Sequence, residues 1–176
     1  MIIGLSGYAG VGKDTLAMHI KKKDSSFVIK KFSGKLKVIA SILTGIPEGM
    51  FESQSFKSLE LNGWNMTVRE FLQRLGTEAI RDGLHNDAWV NALFCDYHQG
   101  DNWVITDMRF PNEFEAVKKF GGMAVRLWRP DVHPVNYHES EVALDKHAFD
   151  YIASNEGGEG NWEDVAGKIL DVAKTK

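Results

Sequence analysis

The stretch MIIGLSGYAGVGKDTLAMHI, residues 1–20, decides the fold. Its apolar start, Ile2 to Leu5, predicts a short buried strand, and the amphipathic stretch from Asp14 to Lys22 predicts a helix. Between them lies GYAGVGK, residues 7–13, which matches the pattern G-x-x-x-x-G-K. A strand, a glycine-rich loop and a helix in this order form the context in which the pattern binds phosphate.

The composition of this loop fits the phosphates of a nucleotide. Glycines let consecutive backbone N–H groups converge on phosphate oxygens, and the helix that follows adds the positive end of its dipole. Lys13 supplies a mobile positive charge for the β- and γ-phosphates. We therefore predict an ATP-like ligand; the alternative is a glycine-rich turn with an accidental lysine.

The residue after the lysine departs from the usual pattern. Asp14 stands where Ser or Thr usually ligates magnesium, and the hydroxyl follows one residue later, at Thr15. Asp14 or Asp107 would then hold magnesium through water, and the sequence leaves the choice between the two carboxylates open.

The rest of the chain alternates predicted strands and helices. We predict further strands at 27–32, 103–106, 123–128 and 151–154, and helices at 35–43, 67–83, 87–98, 111–120 and from about 161. This alternation predicts an α/β fold with a parallel sheet covered by helices on both faces, and the length predicts a single domain, 1–176. The stretch 47–65 has no clear period, and 129–141 is predicted to be a mobile lid.

Composition and charge exclude several classes of function. Charged residues make up 26% of the chain and the net charge is -3, so no broad basic surface is available for a nucleic acid polymer. Cys95 is the only cysteine, which excludes an intramolecular disulfide and favours a reducing compartment. The start MIIGLSG lacks the segments of a signal peptide, and no apolar run is long enough for a membrane span. We expect a cytoplasmic protein with no membrane partner.

The helix predicted at 67–83 has the clearest pattern of all. Thr67 and Glu70 form a capping-box pattern at its start. Its apolar stripe, predicted to face the core, comprises Val68, Phe71, Leu72, Leu75, Ala79 and Ile80.

A polar edge of the same helix is a candidate phosphate site. Arg69, Gln73 and Thr77 recur at four-residue spacing and therefore share one edge. Arg74 has Glu70 as a partner four residues earlier, whereas Arg69 has none on its own row, so Arg69 is the better candidate. The alternative, a solvated charged face, stays open for Arg69 and more so for Arg74 and Arg81.

Further candidates follow the predicted strand 103–106. Asp107 ends that strand, and the carboxyl ends of parallel strands meet where the phosphate-binding loop lies. Such an aspartate is as often a turn former or a helix cap. Arg109 and Glu113, which follow within six residues, favour a functional carboxylate.

Several other residues have two interpretations. Trp89 would stack on a base, although tryptophans at helical spacing more often fill cores. His133 and His138 flank a proline loop, and their spacing argues against a metal site. Arg126 and Arg129 border the same loop, where a closing lid would bring positive charge to a phosphoryl group.

These motifs resemble one known family, the deoxynucleoside monophosphate kinases of tailed phages and some bacteria. The matching sequences are GYAGVGKDT at 7–15, VREFLQRLGTEAIRDGLHNDAWV at 68–90, VITDMRFPNEFEAV at 104–117, RP and HESE within 129–141, and YIASNEG at 151–157. The Lys-Asp-Thr ending of the loop is usual in that family. Larger members carry a long insertion before the LGT sequence that this chain lacks, so the acceptor base and any dimer contact stay open.

The resemblance implies a three-layer P-loop kinase fold and phosphoryl transfer from Mg-ATP to a deoxynucleoside 5′-monophosphate. It implies donor binding at Gly10, Val11, Gly12, Lys13, Asp14 and Thr15, and acceptor binding at Arg69, Gly76, Thr77, Trp89, Asp107, Arg109 and Glu113. The expected catalytic residues are Lys13, Asp107, Arg109 and Arg129, and the expected magnesium ligands are Asp14, Thr15 and Asp107. The expected partners are small nucleotides, with a homodimer as a further expectation.

The phosphate-binding loop alone leaves the acceptor open. A related kinase for dephospho-coenzyme A or phosphomevalonate would share the loop, and a nucleotide-dependent switch is a more distant alternative. GTPase switches carry Asp-x-x-Gly and Asn-Lys-x-Asp, whereas this chain has DMRF at 107–110 and SNEG at 154–157. These sequences argue against a switch.

Overall fold

Strands and helices alternate along the chain, as predicted. The computed structural model describes residues 1–133, 142–154 and 161–175. The strands are β1 (Ile2–Ser6), β2 (Phe27–Lys30), β3 (Glu60–Leu61), β4 (Met66–Thr67), β5 (Asn102–Ile105), β6 (Met123–Trp128) and β7 (Tyr151–Ser154). The helices are α1 (Lys13–Lys23), α2 (Gly34–Thr44), α3 (Gln54–Lys57), α4 (Val68–Gln73), α5 (Ala88–Phe94), α6 (Pro111–Lys119) and α7 (Trp162–Lys174), with a 3₁₀-helix at Glu48–Glu52 and a π-helix at Arg74–Asp82.

The chain divides into two compact units. Unit 1 comprises Met1–Lys31 and Tyr97–Lys176, and unit 2 comprises Phe32–Asp96. Whether the whole chain acts as one domain, 1–176, stays a prediction. Within the described ranges, no helix combines the length and the apolar character that crossing a membrane would require.

Unit 1 is built on a five-stranded sheet with β1 at its centre. The strand order is β2-β5-β1-β6-β7, and every neighbouring pair is parallel. All five residues of β1 are buried, as expected for a parallel strand that is covered on both faces. The short apolar run at the start of the sequence is therefore the middle of the sheet.

Alternate residues of β1 serve the two faces of the sheet. Ile3 and Leu5 lie in one core cluster with residues of α1 and α7. On the opposite face, a Cβ at Gly4 would lie 3.0 Å from Met108 Sδ and 3.1 Å from Val117 of α6. Helices thus cover both faces, which confirms the predicted three-layer α/β fold.

Unit 2 has a small core of its own. Ala40, Phe51, Leu61, Val68 and Phe71 form it, and they come from α2, the 3₁₀-helix, β3 and α4. The stretch 47–65, which showed no clear period, holds several short elements of two to five residues each. Elements this short cannot display a repeat, so sequence periodicity did not find them.

The helix predicted at 67–83 forms, but its geometry changes midway. After α4 the chain continues as a π-helix, in which hydrogen bonds join residues five apart. Phe71 in α4 and Gly76 and Arg81 in the π-helix are buried. The predicted apolar stripe is wrong at its end, since Ala79 is exposed and Ile80 only partly buried, while Arg81 is 6% exposed instead of solvated.

Other boundaries differ in detail. α5 ends at Phe94 and not at 98, β2 ends at Lys30 and not at 32, and Phe120 is 43% exposed although we predicted it in an apolar stripe. Phe120 packs edge-on against Tyr97, with 5.5 Å between ring centroids. Two stretches with predictions lie outside the described residues. They are most of the predicted lid, residues 134–141 with His138, and the last three residues of SNEG, 155–157.

The N-cap of α4 yields a stability prediction. Thr67 Oγ1 accepts a hydrogen bond from the backbone N–H of Glu70, at 3.2 Å. We expect Thr67→Ala to lower the free energy of unfolding by about 1 kcal/mol, because that N–H loses its partner. Urea denaturation followed by circular dichroism would measure the change. Thr67→Ser should retain most of the stability, and equal stability of wild type and Thr67→Ala would contradict the prediction.

Candidate phosphate-binding site

The phosphate-binding loop joins β1 to α1, as predicted. Gly10 and Gly12 have φ angles of 81° and 102°, in the left-handed region that favours glycine. A Cβ at Gly10 would meet no atom within 4 Å, whereas a Cβ at Gly12 would lie 2.4 Å from the ring of Trp162. Gly10 thus leaves the loop open to a ligand, and Gly12 lets α7 pack against it.

The amino-terminal end of α1 faces the loop. Gly12 is the N-cap of α1 and has no side chain that would occupy the first N–H groups of the helix. Those groups and the positive end of the helix dipole are available to an anion. This arrangement is the one that the sequence pattern predicted for phosphate.

Lys13 lies against its own loop. Its Nζ donates hydrogen bonds to the carbonyl oxygens of Gly7, at 2.6 Å, and Tyr8, at 2.9 Å. Both acceptors are neutral carbonyl groups, and these bonds hold the ammonium at the loop. A phosphate bound by the loop would meet a positive charge already in position.

The predicted approach of β5 to the loop is also seen. Asp14 Oδ1 accepts a hydrogen bond from Thr106 Oγ1 at 2.8 Å and lies 3.2 Å from Lys31 Nζ. Thr106 follows β5 directly and precedes Asp107, so these contacts hold the carboxyl end of β5 near the start of α1.

The oxygen donors near the loop fit magnesium only in part. Asp14, Thr15 and Asp107 offer the carboxylate and hydroxyl oxygens that magnesium prefers. Among the described residues, however, no group of three or more His, Cys, Asp or Glu side chains is close enough to hold a metal ion. The donor set suits a magnesium ion that takes much of its coordination from phosphate oxygens and water.

The residues after β5 form a tight helix start. Glu113 is 3% exposed, and its Oε2 accepts hydrogen bonds from the backbone N–H groups of Arg109, at 2.8 Å, and Phe110, at 3.1 Å. The carboxylate therefore caps α6, which begins at Pro111, and fixes the backbone of Arg109. Its predicted contact with an acceptor remains a prediction.

Of the arginines in α4 and the π-helix, Arg74 has the partner that the sequence suggested. Arg74 forms an ion pair with Glu70 at 3.0 Å. Arg69 is exposed, and its Nη2 donates to the amide oxygen of Gln54 at 3.2 Å. Among the described residues Arg69 forms no ion pair, so its charge is the more available of the two to a phosphate.

Trp89 is a core residue in this structure. It is 6% exposed, and its Nε1 donates to the carbonyl oxygen of Gly76 at 2.8 Å. Gly76 lies close to α2, since a Cβ there would approach Leu36 at 2.9 Å, and the neighbouring Thr77 is partly buried. The core interpretation of Trp89 therefore describes the structure better than an open stacking surface, and its contact with a base stays a prediction.

The two arginines near the predicted lid have different surroundings. Arg129 binds Asp131 through two bonds, Nε to Oδ1 at 3.1 Å and Nη2 to Oδ2 at 2.6 Å, and these bonds lower the pKa of Asp131. Arg126, in β6, donates to Ser6 Oγ at 3.1 Å and binds Asp145. We did not predict Asp145, because residues 8 and 145, which contact each other, lie 137 positions apart in the sequence.

Comparisons with known proteins point to one family. A family model described as deoxynucleotide monophosphate kinase matches residues 45–169. A putative deoxynucleotide monophosphate kinase of Acanthamoeba polyphaga mimivirus is 30% identical over 159 residues, which are 82% of each chain. The deoxynucleotide monophosphate kinase of Enterobacteria phage T4 is 26% identical over 113 residues, 61% of this chain and 46% of that one, so the chain matches about half of that relative's length.

A solved structure supports the fold. The dephospho-CoA kinase from Campylobacter jejuni matches with a TM-score of 0.50 over 98% of this chain and 97% of that one. Its sequence identity is 12%, so the likeness concerns the fold alone.

The contact between Gly12 and Trp162 yields a second stability prediction. We expect Gly12→Ala to lower the free energy of unfolding by about 3 kcal/mol, because the new Cβ strains the backbone and displaces the Trp162 ring. Gly10→Ala is the matched control: its φ is also positive, but no atom lies within 4 Å of the Cβ position. It should cost only about 1–2 kcal/mol. Equal losses in urea denaturation would show that the Trp162 contact has no effect.

Proposed function

The chain belongs to the deoxynucleotide monophosphate kinase family, and on that basis we propose how its residues transfer a phosphoryl group from ATP to a deoxynucleoside 5′-monophosphate. The protein is a phosphotransferase that uses a nucleotide. The observation that carries the proposal is the open loop at Gly10, next to the uncapped end of α1 and the Lys13 ammonium. The identity of the acceptor, a deoxynucleoside monophosphate, is inferred from membership of the family.

The donor site of this proposal is the phosphate-binding loop. The backbone N–H groups of Gly10 and Gly12 and the side chains of Lys13 and Thr15 bind the β- and γ-phosphates. Val11, whose N–H donates to the Tyr8 carbonyl oxygen, holds the turn between the two glycines. Magnesium, when bound, neutralises charge on these phosphates, and Asp14, Thr15 and Asp107 would hold it directly or through water.

The residues proposed to bind the acceptor are described for each unit separately. In unit 2, Arg69 binds the acceptor phosphate, and Gly76, Thr77 and Trp89 are the other proposed acceptor residues; Trp89 bonds to Gly76. In unit 1, Arg109 binds phosphate oxygens, Glu113 fixes the Arg109 backbone, and Asp107 orients the acceptor or the metal.

Catalysis in this proposal needs no protein nucleophile. An oxygen of the acceptor phosphate attacks the γ-phosphorus of ATP, and the bond from that phosphorus to the bridging oxygen breaks, which yields ADP and a deoxynucleoside diphosphate. Because the phosphate dianion is already nucleophilic, the residues act by positioning and by charge neutralisation. Lys13 stabilises the charge on the donor, and Arg129 would add positive charge as the lid closes.

The main alternative is another acceptor on the same fold. A dephospho-coenzyme A or phosphomevalonate kinase would use the same loop, but the likeness to a dephospho-CoA kinase is at 12% identity and concerns only the fold. We further propose the cytoplasm, of a host cell if a phage encodes the protein, as the place of action. A homodimer also stays a proposal.

The first test is ADP release from Mg-ATP with a panel of acceptors. We expect turnover with one or more deoxynucleoside monophosphates and none with dephospho-coenzyme A, phosphomevalonate or no acceptor. Lys13→Ala should lower kcat/KM by about 100- to 1000-fold, because it removes a preorganised charge from the γ-phosphate. Turnover with a non-nucleotide acceptor alone would refute the proposed acceptor, and near-normal turnover of Lys13→Ala would refute the proposed donor site.

A pair of arginine variants tests the acceptor phosphate site. We expect Arg69→Ala to raise the KM for the acceptor by about 10- to 100-fold, because it removes a charge-assisted hydrogen bond. Arg74→Ala is the matched control, since Arg74 already pairs with Glu70 on the same helical stretch, and it should change that KM by less than about twofold. Equal effects of the two variants on acceptor KM in steady-state kinetics would contradict the assignment of Arg69.

A further inference from the structure

Asp145 connects the phosphate-binding loop to β6. Its Oδ2 accepts a hydrogen bond from the hydroxyl of Tyr8, at 3.0 Å, and its Oδ1 binds the guanidinium of Arg126. Arg126 also donates to Ser6 Oγ at 3.1 Å. We call Ser6, Tyr8, Arg126 and Asp145 the Asp145 network; it spans the last residue of β1, the second residue of the loop and the segment before β7.

The guanidinium in this network is held on several sides. The Arg126 side chain is 15% exposed, and its Cζ lies 4.9 Å from the ring centroid of Tyr8 and 5.7 Å from that of Phe149. A cation so close to an aromatic ring is attracted to the ring face. Arg126 therefore restrains Tyr8 through its ring, and Asp145 restrains the same residue through its hydroxyl.

The backbone of Tyr8 takes part in the phosphate-binding loop itself. Its carbonyl oxygen accepts hydrogen bonds from the Val11 N–H, at 3.2 Å, and from Lys13 Nζ, at 2.9 Å. Burial and the nearby Asp145 carboxylate raise the pKa of Tyr8, so its hydroxyl stays protonated and remains a donor near neutral pH. Tyr8, whose side chain is restrained by Asp145 and Arg126, thus supplies the carbonyl oxygen that binds the Val11 N–H and Lys13 Nζ.

We propose that Asp145 is a positioning residue for the phosphate-binding loop: by fixing Tyr8 and Arg126, it holds the loop in the conformation that binds the ATP phosphates. The inference deepens the proposed function and rests on it for the identity of the ligand. The residues proposed to bind the acceptor are not part of this network, so we expect its loss to weaken nucleotide binding and to leave acceptor binding unchanged.

Three variants separate this role from a general effect on stability. Asp145→Ala removes both contacts, Tyr8→Phe removes the hydroxyl but keeps the ring over Arg126, and the third variant combines the two. The control is Asp150→Ala, since Asp150 also forms an ion pair in unit 1, with Lys118 at 2.6 Å, and accepts from the N–H of Ala124 at 2.7 Å. It lies outside the loop and the network.

Two measurements test the inference. Isothermal titration with a non-hydrolysable ATP analogue should give a Kd that is raised about tenfold in Asp145→Ala and severalfold in Tyr8→Phe. The double variant should have the same Kd as Asp145→Ala, because both changes remove the same contact. The acceptor KM should stay within about twofold. In the ligand-free protein, hydrogen exchange at the Val11 amide should accelerate in Asp145→Ala, whereas Asp150→Ala should lower thermal stability without changing either observable.

The outcomes keep the two proposals apart. The inference would be overturned if Asp145→Ala changed neither the Val11 exchange rate nor the Kd for the ATP analogue. It would also be overturned if Asp150→Ala changed these two quantities as much as Asp145→Ala does. Additive effects in the double variant would show that Tyr8 and Asp145 act independently and would also overturn it. A wild-type protein that binds no ATP analogue would refute the proposed function, and the exchange measurement would then decide the role of Asp145 in the loop.

Discussion

The pairing of β1 with β5 on one side and β6 on the other is the constraint on which the rest of unit 1 depends. Because every backbone group of a central parallel strand must find a partner, β1 is fixed in register along both neighbours. Its last residue, Ser6, pairs with Arg126, so the point where the loop leaves the sheet is set by the sheet. The loop then turns sharply into α1, and the close approach of Trp162 to Gly12 fixes that turn from the side of α7.

Features that depend on local sequence were predictable. The strands at Met123–Trp128 and Tyr151–Ser154 have the predicted bounds, because each is a short, mainly apolar run between turn residues. The loop was predictable because its function requires glycine and lysine at fixed spacing. The ion pair between Glu70 and Arg74 followed from helix geometry alone.

Features that depend on contacts between distant segments were not predictable. The bond from Tyr8 to Asp145 joins residues that no spacing rule relates, and so does the bond from Trp89 Nε1 to the Gly76 carbonyl oxygen. Arg81 was placed with the charged residues because we assumed an α-helical period over the whole segment. A change of helix type shifts every later residue around the axis, and single-sequence patterns contain no signal for such a change.

The π-helix of unit 2 also bears on how related chains should be compared. Each residue turns an α-helix by about 100°, so a homologue with one residue fewer between Phe71 and Arg81 would point the equivalent of Arg81 well away from the side that is buried in this chain. Length differences within 74–82 therefore change which residues face the core, even though much of that surface is open to solvent. An alignment that places gaps freely in this helix would equate buried positions with exposed ones, and substitutions at Gly76 and Arg81 should be compared only among chains of equal length in this segment.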